Sequence, residues 1–306
     1  MLPVARGFDW SLVDVAVPRQ PLLPGIRMAG FSTRGPASGE IAMVAHPSLT
    51  LLIDLSKKGG IRYSVDGRLH SGSVVVGLLP GDVRASGWEG ECLQIRLSPV
   101  TAATLVGGAS ADLTGAVVPL EGIWGRETVR FEEQLRVATS WDDRFRIAAD
   151  ALGRRLDSRH AVDEEVANAW RLTTHARGLV RVDRLADTVG WSRKRLWSRC
   201  RAQLGLTPKQ AAQLVRFDRA AHLLAAGHGA AAVAAESGYA DQSHLHRDAK
   251  AITGATPTVV ARAPWLAIDD VAWPSPHPSV MPLSDGRMDG PEKLDPVGRR
   301  TAPTWG

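Results

Sequence analysis

The chain has 306 residues, 44% of them hydrophobic and 23% charged, with a net charge of +5, a composition that fits a globular protein with room for two cores. No apolar run approaches the roughly 20 residues of a membrane helix, and Met1 to Trp10 lacks a basic-then-apolar signal layout, so a cytoplasmic protein is expected. The two cysteines, Cys92 and Cys200, make no Cys-x-x-Cys pair, which excludes zinc ribbons and Cys-x-x-Cys redox motifs; both read as reduced core residues, with a disulfide switch as the alternative.

Residues 41–97 read as β structure. Leu49 to Leu55 and Ile61 to Val65 are short apolar or alternating runs, and Asp66-Gly67 signals a hairpin before a strand from Arg68 to Val76. Gly72, Gly77, Pro80-Gly81 and Gly87 punctuate the strands from there on, and Leu93, Ile95 and Leu97 alternate with Gln94 and Arg96. Many short strands with frequent turns predict a small barrel or sandwich. After Ser98-Pro99 the pattern turns helical, with amphipathic helices near Glu127–Val137 and Asp142–Leu156. Trp88, Trp124 and Trp141 read as core aromatics rather than a ligand cage.

From about residue 165 the chain is helical and repeats itself. Gly205-Leu206-Thr207-Pro208 recurs as Gly254-Ala255-Thr256-Pro257, 49 positions on. Leu196 matches Leu245 and Ser192 matches Asp241 at the same offset, while Gly190-Trp191 matches Gly238-Tyr239 at 48, which inserts one residue in the second turn. In the first copy Val182, Leu185, Ala186 and Val189 fall on one helix face, Gly190 breaks the helix, and Ser192 caps a second helix that buries Leu196 and Cys200. In the second, Val233 and Ala234, then Gly238, then Asp241 as cap, then Leu245, Ala249 and Ile252 repeat the same plan. Helix, glycine-containing turn and second helix make a helix-turn-helix. Thr207-Pro208 opens a long connecting helix to about Ala226, buried along Leu214, Phe217, Ala221 and Leu224.

The outward faces carry a different chemistry. Lys194, Trp197, Ser198 and Arg201 form one stripe, and Ser243, His246, Arg247 and Lys250 stand at their +49 positions. Charge agrees: Trp170 to Arg262 holds 15 Lys/Arg against 6 Asp/Glu, a net of +9, while residues 1–169 and 263–306 each carry −2. Basic charge confined to one segment is a footprint for phosphate, and long hydrogen-bonding side chains are what base edges require.

Leu185-Ala186, Gly190-Trp191-Ser192, Leu196, Gly205-Leu206-Thr207-Pro208, Arg216-Phe217, Arg219-Ala220 and Leu223-Leu224 carry a resemblance to the AraC/XylS-type regulators. Ser237 to Leu245, then Arg247, Lys250 and Gly254 to Pro257 complete it, over about 90 residues. The resemblance implies a sequence-specific regulator of transcription that places base contacts on Lys194, Trp197 and Ser198 of the first unit. In the second unit it places them on Gln242, Ser243, His244 and Arg247; Arg201 and His246 join the expected DNA-binding set from the stripe. The family usually has Phe where Cys200 and Ala249 stand. More weakly, Leu120 to Gly125 and Cys92 to Pro99 resemble the cupin-like sensor or dimerisation domain of such regulators.

The expected architecture is therefore α+β. It has a cupin-like β domain with helices at 1–160 and an all-α double helix-turn-helix domain at 165–262, with a proline-rich disordered tail at 263–306. The tail holds 8 of the 19 prolines, including Trp273-Pro274-Ser275-Pro276-His277-Pro278. Double-stranded DNA is the expected partner. A small-molecule effector, RNA polymerase and a second copy of the chain (a homodimer) are further candidates, and no membrane, cofactor or metal is called for. The alternative is a metal-dependent cupin-type enzyme with an accessory DNA-binding domain, with His46 and His70 as ligands. No His-x-His with a following Glu accompanies them, and His244 and His246 point about 200° apart on a helix. Walker loops, dinucleotide fingerprints and nucleophile elbows are missing too, so no catalysis is expected.

Overall fold

The computed structural model describes residues 12–35, 39–56, 60–65, 67–79, 81–87, 89–106, 111–156, 162–263, 266 and 272–273. Two antiparallel sheets carry the first half. The six-stranded sheet runs β1(Val13–Ala16), β2(Ile26–Thr33), β9(Glu91–Leu97), β4(Leu49–Asp54), β7(Val74–Val76), β10(Val117–Pro119). The four-stranded sheet runs β3(Glu40–Met43), β8(Val83–Ser86), β5(Arg62–Val65), β6(Arg68–Ser71).

The larger sheet is covered on both faces, and the period of two sorts its side chains between them. Ala29, Phe31, Leu52, Val74, Val76 and Cys92 face the other sheet, where Tyr63, Val65, Val83 and Ala85 meet them. Leu49, Leu51, Ile53, Val75, Leu93, Ile95 and Leu97 point the other way, into a core shared with four helices. These are α1(Pro99–Val106), α2(Glu121–Trp124), α3(Glu127–Val137) and α4(Trp141–Leu156). Trp124 sits edge-on to Phe131 at 5.0 Å and Trp141 stacks on Phe145 at 5.8 Å, so both are packing residues. Trp88 and Asp66 lie outside the described residues.

Among the described residues, the second half is built on seven helices: α5(Glu164–His175), α6(Val182–Thr188), α7(Arg193–Leu204), α8(Pro208–Ala225), α9(Ala230–Glu236), α10(Gln242–Thr253) and α11(Pro257–Ala261). The N-terminal β domain and the helical C-terminal domain are the α+β architecture read from the sequence. Their cores are not fully separate. Ala45, Leu78 and Ala103 belong to one buried cluster with Trp170, Leu185, Leu196, Cys200 and Phe217, and Thr114 Oγ1 donates to the Gly205 carbonyl at 3.2 Å.

Three sequence expectations shift. Strands β1, β2 and β10 lie outside the 41–97 window; β2 hides its alternation because residues 28–31 are buried on both faces, one by the sheet opposite and one by the helices. The run Arg68 to Val76 is two strands in different sheets, parted by a turn at Gly72, whose φ of +77° only glycine takes readily. The segment after residue 263 is not wholly tail. Leu266 is buried against the helical core, and Ala272 and Trp273 are buried between the sheets. A proline-rich composition disfavours long helices and ladders, but Leu266 and Ala272 are helical and one indole packs into a core. The remainder of 263–306 and the linker residues 157–161 lie outside the described residues.

Candidate nucleic-acid interface

Each unit is built from local rules. In the first, Leu185 and Ala186 bury α6, and the chain turns at Gly190 with φ +71°. Ser192 Oγ then accepts from the Arg195 backbone N–H at 3.2 Å to start α7. In the second, Val233 and Ala234 bury α9, Gly238 turns at φ +73°, and Asp241 Oδ1 accepts from the His244 N–H at 2.7 Å to start α10. Gly205 and Gly254 close α7 and α10 in the left-handed conformation. The sequence repeat is thus a structural repeat down to its caps.

The connecting helix α8 is started by a reciprocal capping box. Thr207 Oγ1 accepts from the Gln210 N–H at 3.2 Å while Gln210 Oε1 accepts from the Thr207 N–H at 3.0 Å. Leu214, Phe217 and Ala221 of α8 bury in the first unit's core, and Ala220 and Leu224 in the second's. One helix therefore belongs to both hydrophobic cores and ties the units together.

Helix α7 reads RKRLWSRCRAQL, with five cations and no acid. Arg199, though exposed, is paired: it donates to Asp163 at 2.7 and 2.8 Å and pins α7 to the start of α5. Those hydrogen bonds from Arg199 hold the Asp163 carboxyl below the usual carboxylate range. Arg195 lies 4.3 Å from the Trp191 ring. Among the described residues Arg193, Lys194, Arg201, Arg247 and Lys250 make no ion pair, and all five are exposed. Trp197 is 54% exposed, a large apolar surface left in water on a helix whose other apolar side chains, Leu196, Cys200 and Leu204, are buried.

Residues 185–263 match the family model described as a helix-turn-helix domain. This segment is an AraC-type helix-turn-helix domain. Such a domain makes the chain a DNA-binding regulator of transcription. No curated protein sequence matches the chain. Among solved structures, the chain is similar to ToxT from Vibrio cholerae O395, at 10% identity over 78% of this chain and 98% of that one, with a TM-score of 0.44. It is also similar to the C-terminal domain of AraT, a response regulator from Geobacillus stearothermophilus, at 19% identity over 33% and 86%, with a TM-score of 0.31. The AraC-like transcriptional activator CuxR matches at 16% identity over 62% and 80%, with a TM-score of 0.29.

Within the AraC-type domain, Lys194, Trp197, Ser198 and Arg201 are exposed on α7, and Gln242, Ser243, His246 and Arg247 are exposed on α10. His244 differs. Its ring meets Tyr239 edge-on at 5.2 Å, and its Nε2 lies 3.9 Å from Asp248, which faces Arg216 at 4.0 Å. It is half-buried and turned toward this cluster behind the stripe. One exposed cation of α7 stands outside the set expected from the sequence: Arg193, at the first position of the helix, four before Trp197. Its +49 counterpart is Gln242, so the repeat offset already marked it. Where the family usually has Phe, Cys200 and Ala249 are 4% and 0% exposed, inside one packed cluster.

The alternative enzyme reading gains nothing from its proposed ligands. His46 Nε2 sits 3.1 Å from Thr50 Oγ1, while His70 lies on β6, the outer strand of the smaller sheet. Among the described residues no group of three or more His, Cys, Asp or Glu side chains could hold a metal ion.

Proposed function

We propose that the protein regulates transcription by laying α7 and α10 into adjacent major grooves of double-stranded DNA, with the sandwich domain as a small-molecule sensor. The observation that carries this is the pair of exposed basic helices fixed to one shared helix. At 18 residues α8 is about 27 Å long, near the roughly 34 Å between successive major grooves. Lys194, Trp197, Ser198 and Arg201, with Arg193, supply the first contact set; Gln242, Ser243, His246 and Arg247 supply the second. His244 supports the second set through Tyr239 and Asp248. Residues 1–160 form the sensor domain and 165–262 the reader. Contacts to RNA polymerase and pairing of two copies are compatible roles for the surfaces left over.

The test is selection of genomic fragments on the full chain, then affinity measurements across salt concentrations. Binding should weaken linearly on a log–log plot, with a slope of roughly −0.9 for each phosphate neutralised. Failure to retain DNA, or retention indifferent to salt, would overturn the reading.

A further inference from the structure

The inter-sheet face of the larger sheet changes character at one end. Arg27 pairs with Arg96 and Arg96 with Thr50, so these three side chains stand in one row across β2, β9 and β4. The next row is Ala29, Gln94, Leu52 and Val74, whose apolar members lie in the inter-sheet core. A polar floor of Thr50, Gln94 and Arg96 is therefore built into an otherwise apolar interior, and all three residues are at most 8% exposed. Gln94 Nε2 is buried and finds no acceptor among the described residues. A buried amide donor left unmet is costly, which makes it a mark of something that binds there.

Something already does. Trp273, 5% exposed, lies between the sheets with its ring centroid 4.2 Å from the Arg96 guanidinium carbon and 5.8 Å from that of Arg27. A ring over a buried guanidinium is a strong cation–π arrangement. Indole nonetheless carries no acceptor for Gln94, since its nitrogen only donates. Next to Ala272 a cleft of about 200 Å³, lined by Leu22, Leu23, Ile26, Arg27 and Met28 among others, opens onto the same end of β2.

We propose that this polar floor is a binding site for a planar aromatic acid, and that Trp273 is its tethered occupant. The free ligand would place its ring where the indole lies and its carboxylate against the Gln94 amide and Arg96. It would bind by displacing Trp273, so that the chain's own C-terminal segment sets the concentration at which it responds. The inference rests on reading the sandwich as a sensor, but the two can fail separately.

A tethered competitor lowers apparent affinity by the fraction of time the site is open. Full-length Trp273→Ala should therefore bind free indole at least tenfold more tightly than the unaltered chain by calorimetry, with one site per chain. Indole should also raise its thermal midpoint. Indole-3-carboxylate should bind Trp273→Ala more tightly than indole, and Gln94→Leu placed in that background should narrow the difference, leaving the part that Arg96 supplies. Trp273→Phe, which keeps a smaller ring, should fall between the two and stands in if the alanine variant does not fold. Equal indole binding with and without Trp273, or none in either variant, would overturn the site. Binding that leaves DNA affinity unchanged would support the site and overturn the sensor reading.

Discussion

At the residue scale, the two recognition helices are alike in their buried positions and unlike in their exposed ones. Leu196 and Leu245 are both fully buried, but Ser198 on α7 stands where Arg247 stands on α10. An arginine can make a bidentate contact to guanine that serine cannot, so the two units should read different half-sites about one helical turn apart. Arg247→Ala should cost roughly 1–3 kcal/mol on the preferred site and relax preference at one or two base pairs. Lys209→Ala, exposed at the start of α8, should leave that preference unchanged; a uniform loss on all sequences with Arg247→Ala would make Arg247 a phosphate contact instead. Chemistry at Cys200 is governed by burial, which pushes its thiol up to about 12. The folded chain keeps this proton above the roughly 8.5 at which an exposed thiol loses it. Between those values the unfolded chain binds fewer protons, so this group makes stability fall as pH rises. Alkylation at pH 8 should leave Cys200 unmodified until denaturant is added, and rapid labelling of the native chain would contradict its placement.

At the element scale, the turns of the two units are set by backbone conformation more than by packing. Gly190 has φ +71° and nothing within 4 Å of where a β-carbon would stand, so Gly190→Ala isolates the cost of the left-handed conformation. That cost should be about 1 kcal/mol by chemical denaturation. Gly238 has nearly the same φ, but a β-carbon there would meet Leu179 Cδ2 at 2.2 Å. Gly238→Ala should lose more, and Leu179→Ala in the same chain should recover the excess, because only the steric part of the penalty involves Leu179. If the two alanine variants lose equally, Leu179 moves aside freely. The caps, turn glycines and connecting helix were legible in the sequence because each is a short-range rule tied to one residue type. Strand β2 was not, because a strand covered on both faces loses the alternation that marks it, and β1 is a four-residue edge strand too short to carry a period.

At the scale of the whole molecule, the β sandwich and the helical domain share buried surface. Ala45, Leu78 and Ala103 pack into the core of the first helix-turn-helix unit, and Thr114 reaches the residue that closes α7. Limited proteolysis should cut between Leu156 and Val162, around Ser158-Arg159-His160, yet the two pieces should co-elute in gel filtration, held by that shared core. Separation of the pieces without denaturant would show the shared core to be too weak to hold them.

The sequence by itself determined the reader: two units 49 residues apart, their caps and turns, the joining helix and the stripe of exposed polar residues. Helical period, capping and left-handed glycines act within a few residues of each other, so their traces survive in a linear reading. What only the tertiary structure decided are the contacts between distant segments. Arg199, one of five cations on α7, is paired at the surface with Asp163, 36 residues before it, so its charge is already partly met. Arg216 of α8 comes to 4.0 Å from Asp248, 32 residues on, and closes the cluster toward which His244 turns. Trp273, in a proline-rich stretch, finds a place over Arg96 between two sheets formed by residues 13–119. Burial and pairing of this kind depend on which surfaces the fold brings together, and no local pattern in the chain records it.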